Sequence, residues 1–398
     1  MPMTHGVLLS FDNAQTWKKL LDTGADTVNV VDFGPTIAKV ERVLYWRNTS
    51  GGEWIMSSLD GGLSLYNTPG IAIPSGTIQS IAVDPLVPLT AYIATHTGPG
   101  GPAGNGRFDK LYKTTDGGKT LTDITAGVNA LPLNGSDTYL RGCSGLAVDP
   151  KNSLRVWMTQ GKGTVGGTMG IALSTDGGVT WAWKYGPAEV LDHLENLVID
   201  SKDSNIVMVV GREGSPFADP YRIFRTIDGG ASWSRLWLTL PATDSIGGKW
   251  IARTPSGILI AATYRLGVSL GYSGNNGAAW SNKVAAAMDT PGVPDTTVHY
   301  VESNAVGSAF YMSVQAVGLF KSSPLAASWS AVLADADYSG HSIPDPLQPT
   351  WVWHCGKRTL STDGGVFRST NSGVAWSARR NGGYDGPPFA IGAIKSVG

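Results

Sequence analysis

The side chains best suited to chemistry in this 398-residue chain fall in one stretch, between residues 96 and 221. His96, Arg107, Asp109, Lys162, Asp192, His193, Glu195, Arg212, Glu213, Asp219 and Tyr221 all lie there. Cleaving a glycosidic bond takes two carboxyl groups flanking a groove, one protonating the leaving oxygen and one acting as base or nucleophile. Asp192 or Glu195 set against Glu213 or Asp219 would supply such a pair. Holding a polar ligand without cleaving it asks only for convergent donors and acceptors, and His96, Arg107, Asp109, His193, Arg212 and Tyr221 are the set for that. Other chemistries are poorly served. Cys143 and Cys355 are the two cysteines, neither in a CxxC spacing; the six histidines are scattered, and there is no HExxH. No metal site and no cofactor are expected, and both thiols are expected to be free.

Composition narrows the class further. Thirty basic residues stand against thirty-one acidic ones, a net charge of −1. With no basic stripe there is no counterion release to drive binding to nucleic acid, which is not an expected partner. No apolar run reaches eighteen residues, so insertion into a membrane is not expected. Met1–Ser10 has neither a basic region nor an apolar core, so no signal peptide is expected in this chain. Charged residues make up 15%, against roughly 25% in an average soluble protein. A low-charge chain rich in Gly, Thr and Trp resembles extracellular and virion proteins. An extracellular or virion-surface location is expected on that ground, with the cytoplasm left open by the missing signal.

What must position these residues is a repeat. Ser174-Thr175-Asp176-Gly177-Gly178-Val179-Thr180-Trp181 returns, with variation, at Ser10–Trp17, Ser58–Leu65, Thr114–Leu121, Thr226–Trp233, Ser273–Trp280, Ser322–Trp329 and Ser369–Trp376. Its third positions are Asp12, Asp60, Asp116, Asp176, Asp228, Asn275, Pro324 and Asn371, spaced 47 to 60 residues apart. That period suits one four-stranded antiparallel blade of a propeller. The aspartate can accept hydrogen bonds from its own tight turn, whose glycines take positive φ. Trp17, Trp181, Trp233, Trp280, Trp329 and Trp376 then serve as large apolar anchors between neighbouring sheets, largely buried. The aspartates are expected to be structural, and the copies with Asn or Pro in their place to need other partners.

A second element precedes apolar strands: Asp84-Pro85, Asp149-Pro150, Asp200 and Asp345-Pro346 each end an innermost strand, proline being unable to donate to a ladder. Second strands follow at Ala91–Thr95, Arg155–Thr159, Ile206–Val210 and Trp351–Cys355, and third strands run into the repeat turns. The expected fold is all-β, one domain over 1–398: a single propeller of eight blades, with seven as the alternative. The chain opens on a third and fourth strand, Val7–Ser10 and Thr16–Leu20, and closes on an innermost strand at Phe389–Val397. N- and C-terminal strands would thereby close the ring in one shared blade.

The pattern S/T-x-D-x-G-x-T/S-W resembles the Asp-box, or BNR repeat, of sialidases, xyloglucanase-type glycoside hydrolases, sortilin-type receptors and the photosystem II assembly propeller. Eight copies in register extend the resemblance over nearly the whole chain. It implies a propeller fold; chemistry has to be argued from the site. Sialidases carry an Arg-Ile-Pro near the start and three arginines for a carboxylate. Here there is no Arg-Ile-Pro and the first arginine is Arg42, so sialidase activity is not expected. Xyloglucanases carry a catalytic aspartate in a segment like T-D-x-G-G-x-Y-R, which Thr362-Asp363-Gly364-Gly365-Val366-Phe367-Arg368 resembles, one residue shorter. Asp363 is therefore a further candidate acid, or an ordinary turn residue.

Loop length points to the functional end of the blades. His96–Asp109, Gln160–Thr168 and Gly211–Tyr221 are long second-to-third-strand loops, and Thr122–Gly142 and Tyr185–Leu194 are long connections in the same sector. The main expectation is a non-enzymatic module that binds a carbohydrate or a protein receptor through this sector, within a larger assembly. The alternative is a glycoside hydrolase acting on a polysaccharide.

Overall fold

The computed structural model describes residues 6–9, 18–22, 28–33, 44–48, 54–59, 71–73, 77–96, 108–135, 140, 142–162, 168–186, 191–213, 221–237, 248–253, 259–263, 269–282, 298–304, 306–314, 318–323, 328–334, 339–345, 348–356 and 365–378. β1 (Gly6–Leu9) and β2 (Lys18–Asp22) form a two-stranded ribbon. β3 (Val28–Phe33), β4 (Leu44–Asn48), β5 (Trp54–Ser58) and β6 (Ile71–Ala72) make the first four-stranded sheet. The second holds β7 (Thr77–Val83), β8 (Ala91–His96), β9 (Phe108–Thr114) and β10 (Thr122–Asp123), followed by the short helix α1 (Thr125–Asn129). The third holds β11 (Gly142–Asp149), β12 (Asn152–Lys162), β13 (Gly170–Ser174) and β14 (Ala182–Tyr185). β15 (Leu191–Ile199), β16 (Val207–Glu213), β17 (Tyr221–Thr226) and β18 (Ser234–Trp237) form the fourth. The fifth is β19 (Gly248–Arg253), β20 (Leu259–Thr263), β21 (Ser269–Ser273) and β22 (Ser281–Asn282). The sixth is β23 (Val298–Ser303), β24 (Phe310–Val314), β25 (Gly318–Ser322) and β26 (Trp329–Ala334). β27 (Ser339–Pro344), β28 (Val352–Gly356), β29 (Gly365–Ser369) and β30 (Ser377–Ala378) complete the seventh.

Strands that follow one another in the chain are neighbours in each sheet, and the ladders are antiparallel. The expected strands fall where the apolar runs placed them, and the opening ribbon stands where two strands were expected. Phe389–Val397, on which ring closure was to rest, lies outside the described residues. The chain divides into two compact units, one of Met1–Leu9, Lys18–Pro216 and Phe224–Ser234, the other of Ser10–Trp17, Phe217–Ile223 and Arg235–Gly398.

Within the first unit the strands are buried on both faces, which explains their unbroken apolar runs. Successive side chains point to opposite faces. Ala91 and Ile93 of β8 accordingly pack with Ile55, Ile78 and Ile81, while Tyr92 and Ala94 pack with Val148, Val156 and Met158. On β12, Val156 and Met158 face one way, and Trp157 faces the other with Val207, Val209 and Phe224.

The repeat turns are closed by one small circuit. The Thr114 hydroxyl donates to Asp116 Oδ1 (2.8 Å) and accepts from the Gly118 N–H (2.9 Å). Asp116 Oδ1 also accepts from the N–H groups of Lys119 and Thr120, both at 3.0 Å, and the Thr120 hydroxyl donates to Oδ2 at 2.8 Å. Ser174, Asp176 and Thr180 reproduce it, as do Thr226, Asp228 and Ser232. Asp12, Trp17 and Asp60 lie outside the described residues.

Contrary to expectation, the asparagine copies need no other partners. Asn275 Oδ1 accepts from the Ser273 hydroxyl (2.9 Å) and the Ala279 N–H (2.8 Å), and Asn371 Oδ1 from Ser369 (2.9 Å) and Ala375 (2.8 Å). An amide oxygen accepts where the carboxylate oxygen did. What asparagine lacks is the second acceptor, and its donor is missing too: the seventh position is Ala279 or Ala375 instead of Thr or Ser.

The turns also dock onto the preceding sheet. Ser57 of the first sheet donates to the Gly117 carbonyl (2.6 Å), and Tyr92 and Lys113 of the second donate to the Gly177 carbonyl (3.1 and 2.9 Å). The second glycine takes φ 85° to 91° in Gly118, Gly178 and Gly230, and at the last two there is no room for a side chain. A Cβ on Gly178 would sit 2.7 Å from Ile124 and 3.1 Å from Tyr92, and one on Gly230 2.8 Å from Trp157. The tryptophans follow: Trp181 is buried at 9% exposure, and Trp233 meets Trp157 edge-on at 6.1 Å. Trp233, Trp280, Trp329 and Trp376 are half-buried, less than expected, because each ring sits at the turn end of its sheet. Trp181, Trp280 and Trp376 donate their indole N–H to the second glycine's carbonyl at 3.1 Å, closing the turn a third time.

If Asp176 and Thr180 act as one unit, Asp176→Asn and Thr180→Ala should each cost about 1 kcal/mol, the worth of one charge-assisted hydrogen bond at a partly exposed site. The double variant, which copies the natural Asn–Ala pairing, should then cost little more than either single one. Urea unfolding of all four proteins measures the coupling; strictly additive losses would show that the second oxygen and the hydroxyl act separately.

Candidate functional site

Asp116, Asp176 and Asp228 spend their carboxylate oxygens on their own turns. Burial raises Asp116 and Asp176, but the hydrogen bonds from Thr120, Thr114 and Lys119, and from Thr180, Ser174 and Val179, outweigh it and hold both below the ordinary carboxylate range. The Ser232 hydroxyl and N–H and the Thr226 hydroxyl hold Asp228 well below it. The strand-one turns are equally self-contained. Asp84 accepts from the N–H groups of Leu86 and Val87, Asp149 from Lys151 and from the Arg155 guanidinium (3.0 Å), Asp200 from Lys202 and Asp203, and Asp345 from Gln348.

At the other end of the sheets, where second strand passes to third, strand register brings several candidates together. His96 closes β8 opposite Phe108, and Asp109 is the extra residue of the bulge beside that pair. On the fourth sheet Leu191 pairs with Glu213, His193 with Arg212 and Leu194 with Gly211. Asp192 is the extra residue of one bulge, and Glu195 lies in the next, between Leu194 and Leu197. Bulges turn a residue out of the ladder and recur beside functional sites. Asp192, His193, Arg212 and Glu213 thus share one end of the β15–β16 ladder. Lys162 ends β12 opposite Gly142 on the third sheet.

These placements correct the loop assignments. Arg212 and Glu213 belong to β16, Asp192, His193 and Glu195 to β15, Gln160 and Lys162 to β12, and Asp109 to β9. Bulges let polar residues continue a ladder whose alternation they break, so the sequence pattern stops short of the strand. Thr122–Gly142 is no free connection either. Thr122 and Asp123 form β10, and the buried Val128 of α1 and, beyond it, Leu131 and Leu140 pack with Trp181. Tyr221 opens β17. Arg107, Asp219 and Asp363 lie outside the described residues.

Neighbouring sheets approach closely at this end. β11 packs against both β7 and β15, and Gly161 lies so near β15 that a Cβ there would stand 2.5 Å from the Leu194 amide nitrogen. Beside it is a residue the sequence reading passed over as a loop start. Gln160 is fully buried, its Nε2 faces the Met158 sulfur at 3.9 Å, and its Oε1 has no hydrogen-bond partner. The signal was positional: Val156, Met158 and Gln160 share one face of β12, and the first two are core. Trp157 and Trp353 are buried, and the Trp353 indole donates to Asp345 (3.3 Å). Cys143 is buried and forms no disulfide, and its thiol donates to the Gly145 carbonyl at 3.5 Å. Among the described residues no cluster of His, Cys, Asp and Glu could hold a metal ion, and no helix is long and apolar enough to cross a membrane.

No family model matches this chain, and no curated protein matches it. Solved structures do. An ancestral GH74 enzyme aligns with 95% of this chain and 52% of its own at 16% identity, with a TM-score of 0.54. The GH74 enzyme of Niastella koreensis aligns at 19% identity over 94% of this chain and 59% of its own, TM-score 0.39. YCF48 bound to D1 peptide aligns at 16% identity over 78% and 86%, TM-score 0.47. The fold is of the β-propeller type. The chain spans just over half the length of the GH74 enzymes it matches, and the likeness carries no chemistry.

Two outcomes follow from these groups. Gln160→Met removes an unpartnered buried amide without opening a cavity, so urea unfolding should show stability raised by about 1 kcal/mol; a loss of that size would mean the amide is satisfied. For acid, the folded pKa values of Asp116, Asp176 and Asp228 lie below the unfolded ones. Their contribution is therefore complete above about pH 4 and is lost as pH falls through the folded values. The melting temperature should fall steeply below about pH 4, and the Asp116→Asn, Asp176→Asn, Asp228→Asn triple variant should show a flatter curve. Parallel curves would contradict the assignment.

Proposed function

We propose that the chain is a single Asp-box propeller of eight blades, its two ends sharing one blade, and that it binds a carbohydrate or a protein receptor without cleaving it. The contact residues are His96, Asp109, Asp192, His193, Arg212 and Glu213, joined by Arg107, Asp219 and Tyr221. One observation carries this reading. The carboxylates at the repeat-turn end are occupied by their own turns, while register gathers both signs of charge at the other end of β15 and β16. Ligand recognition uses polar side chains presented on a rigid sheet scaffold. The setting we infer is a virion surface or an extracellular assembly, where the chain is one part of a larger complex.

A second reading, a xyloglucanase-like glycoside hydrolase with one propeller, is favoured by one feature: Asp192 stands beside the pair Leu191–Glu213, so two acids lie on adjacent strands. A glycan array and a hydrolysis assay on plant and bacterial polysaccharides, run together, separate the two. Binding without release of reducing ends is the expected result. Arg212→Ala with Glu213→Ala should weaken that binding at least about tenfold, equivalent to about 1.4 kcal/mol, with the melting temperature within a few degrees of the parent. Turnover abolished by Asp192→Asn or Glu213→Gln would favour the hydrolase. A double variant that binds like the parent would remove the site from this end.

A further inference from the structure

One repeat turn has lost its aspartate and kept the groups that serve it. In Thr114–Leu121, Ser174–Trp181 and Thr226–Trp233 the first-position hydroxyl donates to one carboxylate oxygen and the seventh-position hydroxyl to the other. At Ser322–Trp329 the third position is Pro324, yet the first and seventh are still Ser322 and Ser328. The acceptor side of Ser322 and the hydroxyls of Ser323 and Ser308 are engaged. Ser322 Oγ accepts from the Phe310 N–H (2.8 Å), Ser323 Oγ from the Ser328 N–H (2.9 Å), and Ser308 Oγ from the Asn304 amide (2.9 Å). Asn304 Oδ1 in turn accepts from the N–H groups of Ser308 and Ala309.

A cavity of about 430 Å³ opens at this place, lined by Asn304, Ser308, Lys321, Ser322, Ser328 and Ser330 among others. No carboxylate lines it among the described residues, and the half-buried Lys321 has no anionic partner among them. Ser372, at the rim, holds the left-handed conformation (φ 58°) that glycine occupies in the intact turns. The cavity therefore presents several serine hydroxyls able to donate and one ammonium, with no carboxylate among the described residues that line it. That inventory complements an oxygen-rich anion.

We propose that this cavity is a binding site for an oxyanion, a sulfate or phosphate group, which stands in for the missing aspartate. Lys321 supplies the counter-charge, and Ser322, Ser328 and Ser330 donate hydrogen bonds. None of these residues enters the binding reading above, so the two stand or fall separately.

Calorimetric titration in low-salt buffer at neutral pH, with inorganic sulfate, inorganic phosphate, glucose 6-sulfate and glucose as probes, tests the site. The intact chain should bind sulfate or phosphate saturably with Kd on the order of millimolar, as suits a partly solvated ion pair. Glucose should not bind. Glucose 6-sulfate binding at least as well as sulfate would mark an esterified ligand, and inorganic sulfate alone a free ion; either supports the site. Lys321→Gln should weaken binding at least about tenfold and Lys321→Arg less than about threefold, because arginine keeps the charge and the donors. Ser328→Ala with Ser330→Ala should weaken it several-fold, and this pair decides the matter if Lys321→Gln fails to fold. No saturable binding of either anion by the intact chain would overturn the proposal. So would a folded Lys321→Gln, or the double serine variant, that binds like the parent.

Discussion

The sheets of the first unit are fastened to one another through the backbone of their repeat turns. The second glycine, left-handed and without a side chain, lets the turn settle against the aromatic and apolar groups of the preceding sheet. The first glycine's carbonyl then receives a hydrogen bond from that sheet, from Ser57, Tyr92 or Lys113. The aspartate does not make this junction itself. It fixes the shape of the turn so that the glycines can make it, and the tryptophan ring covers the seam. Burial, followed by the charges of Asp84 and Asp176, keeps the Tyr92 phenol protonated, so the donor at one of these seams is never lost to ionisation.

This arrangement gives the second, third and fourth sheets a polarity. At one end the carboxylates and turn amides saturate each other, through the repeat turn and the strand-one turn together. At the other end the ladders run on through bulges and stop on charged residues, His96 and Asp109 on one sheet, Asp192, His193, Arg212 and Glu213 on another. Self-contained turns at one end and ladders that carry charged residues to their last pairs at the other are two results of the same construction. The sixth sheet differs in sequence: its repeat has Pro324 at the third position, and Ser322 and Ser328, at the first and seventh, line a cavity.

Much of this was legible in the residues. Apolar runs bounded by Asp-Pro on one side and by the repeat on the other placed strands such as Ala91–His96 and Gly170–Ser174 within a residue or two. The site was legible as a list of residues and not as a shape. Gly211-Arg212-Glu213 reads as a loop because its alternation is lost, whereas the backbone continues the ladder opposite Leu191–Leu194. Asn275 and Asn371 looked deficient when judged by charge. The turn uses the oxygen's position, and Ala279 and Ala375 remove the demand for a second one. Gln160 escaped notice because a single polar residue after an apolar run resembles a strand end, and only packing shows that it lies inside.

Native-state hydrogen exchange at the amides of Gly118, Gly178 and Gly230 tests the role of the turns most directly. Each of these N–H groups is bonded to the first-position hydroxyl at 2.8 to 2.9 Å. If the turns hold neighbouring sheets together, these amides should exchange only through the same large-scale opening that exposes the central strands β8, β12 and β16, with matching free energies. Exchange far faster than in those strands, through local fraying of the turns, would show that the sheets are held by core packing alone and that the turns are ornaments.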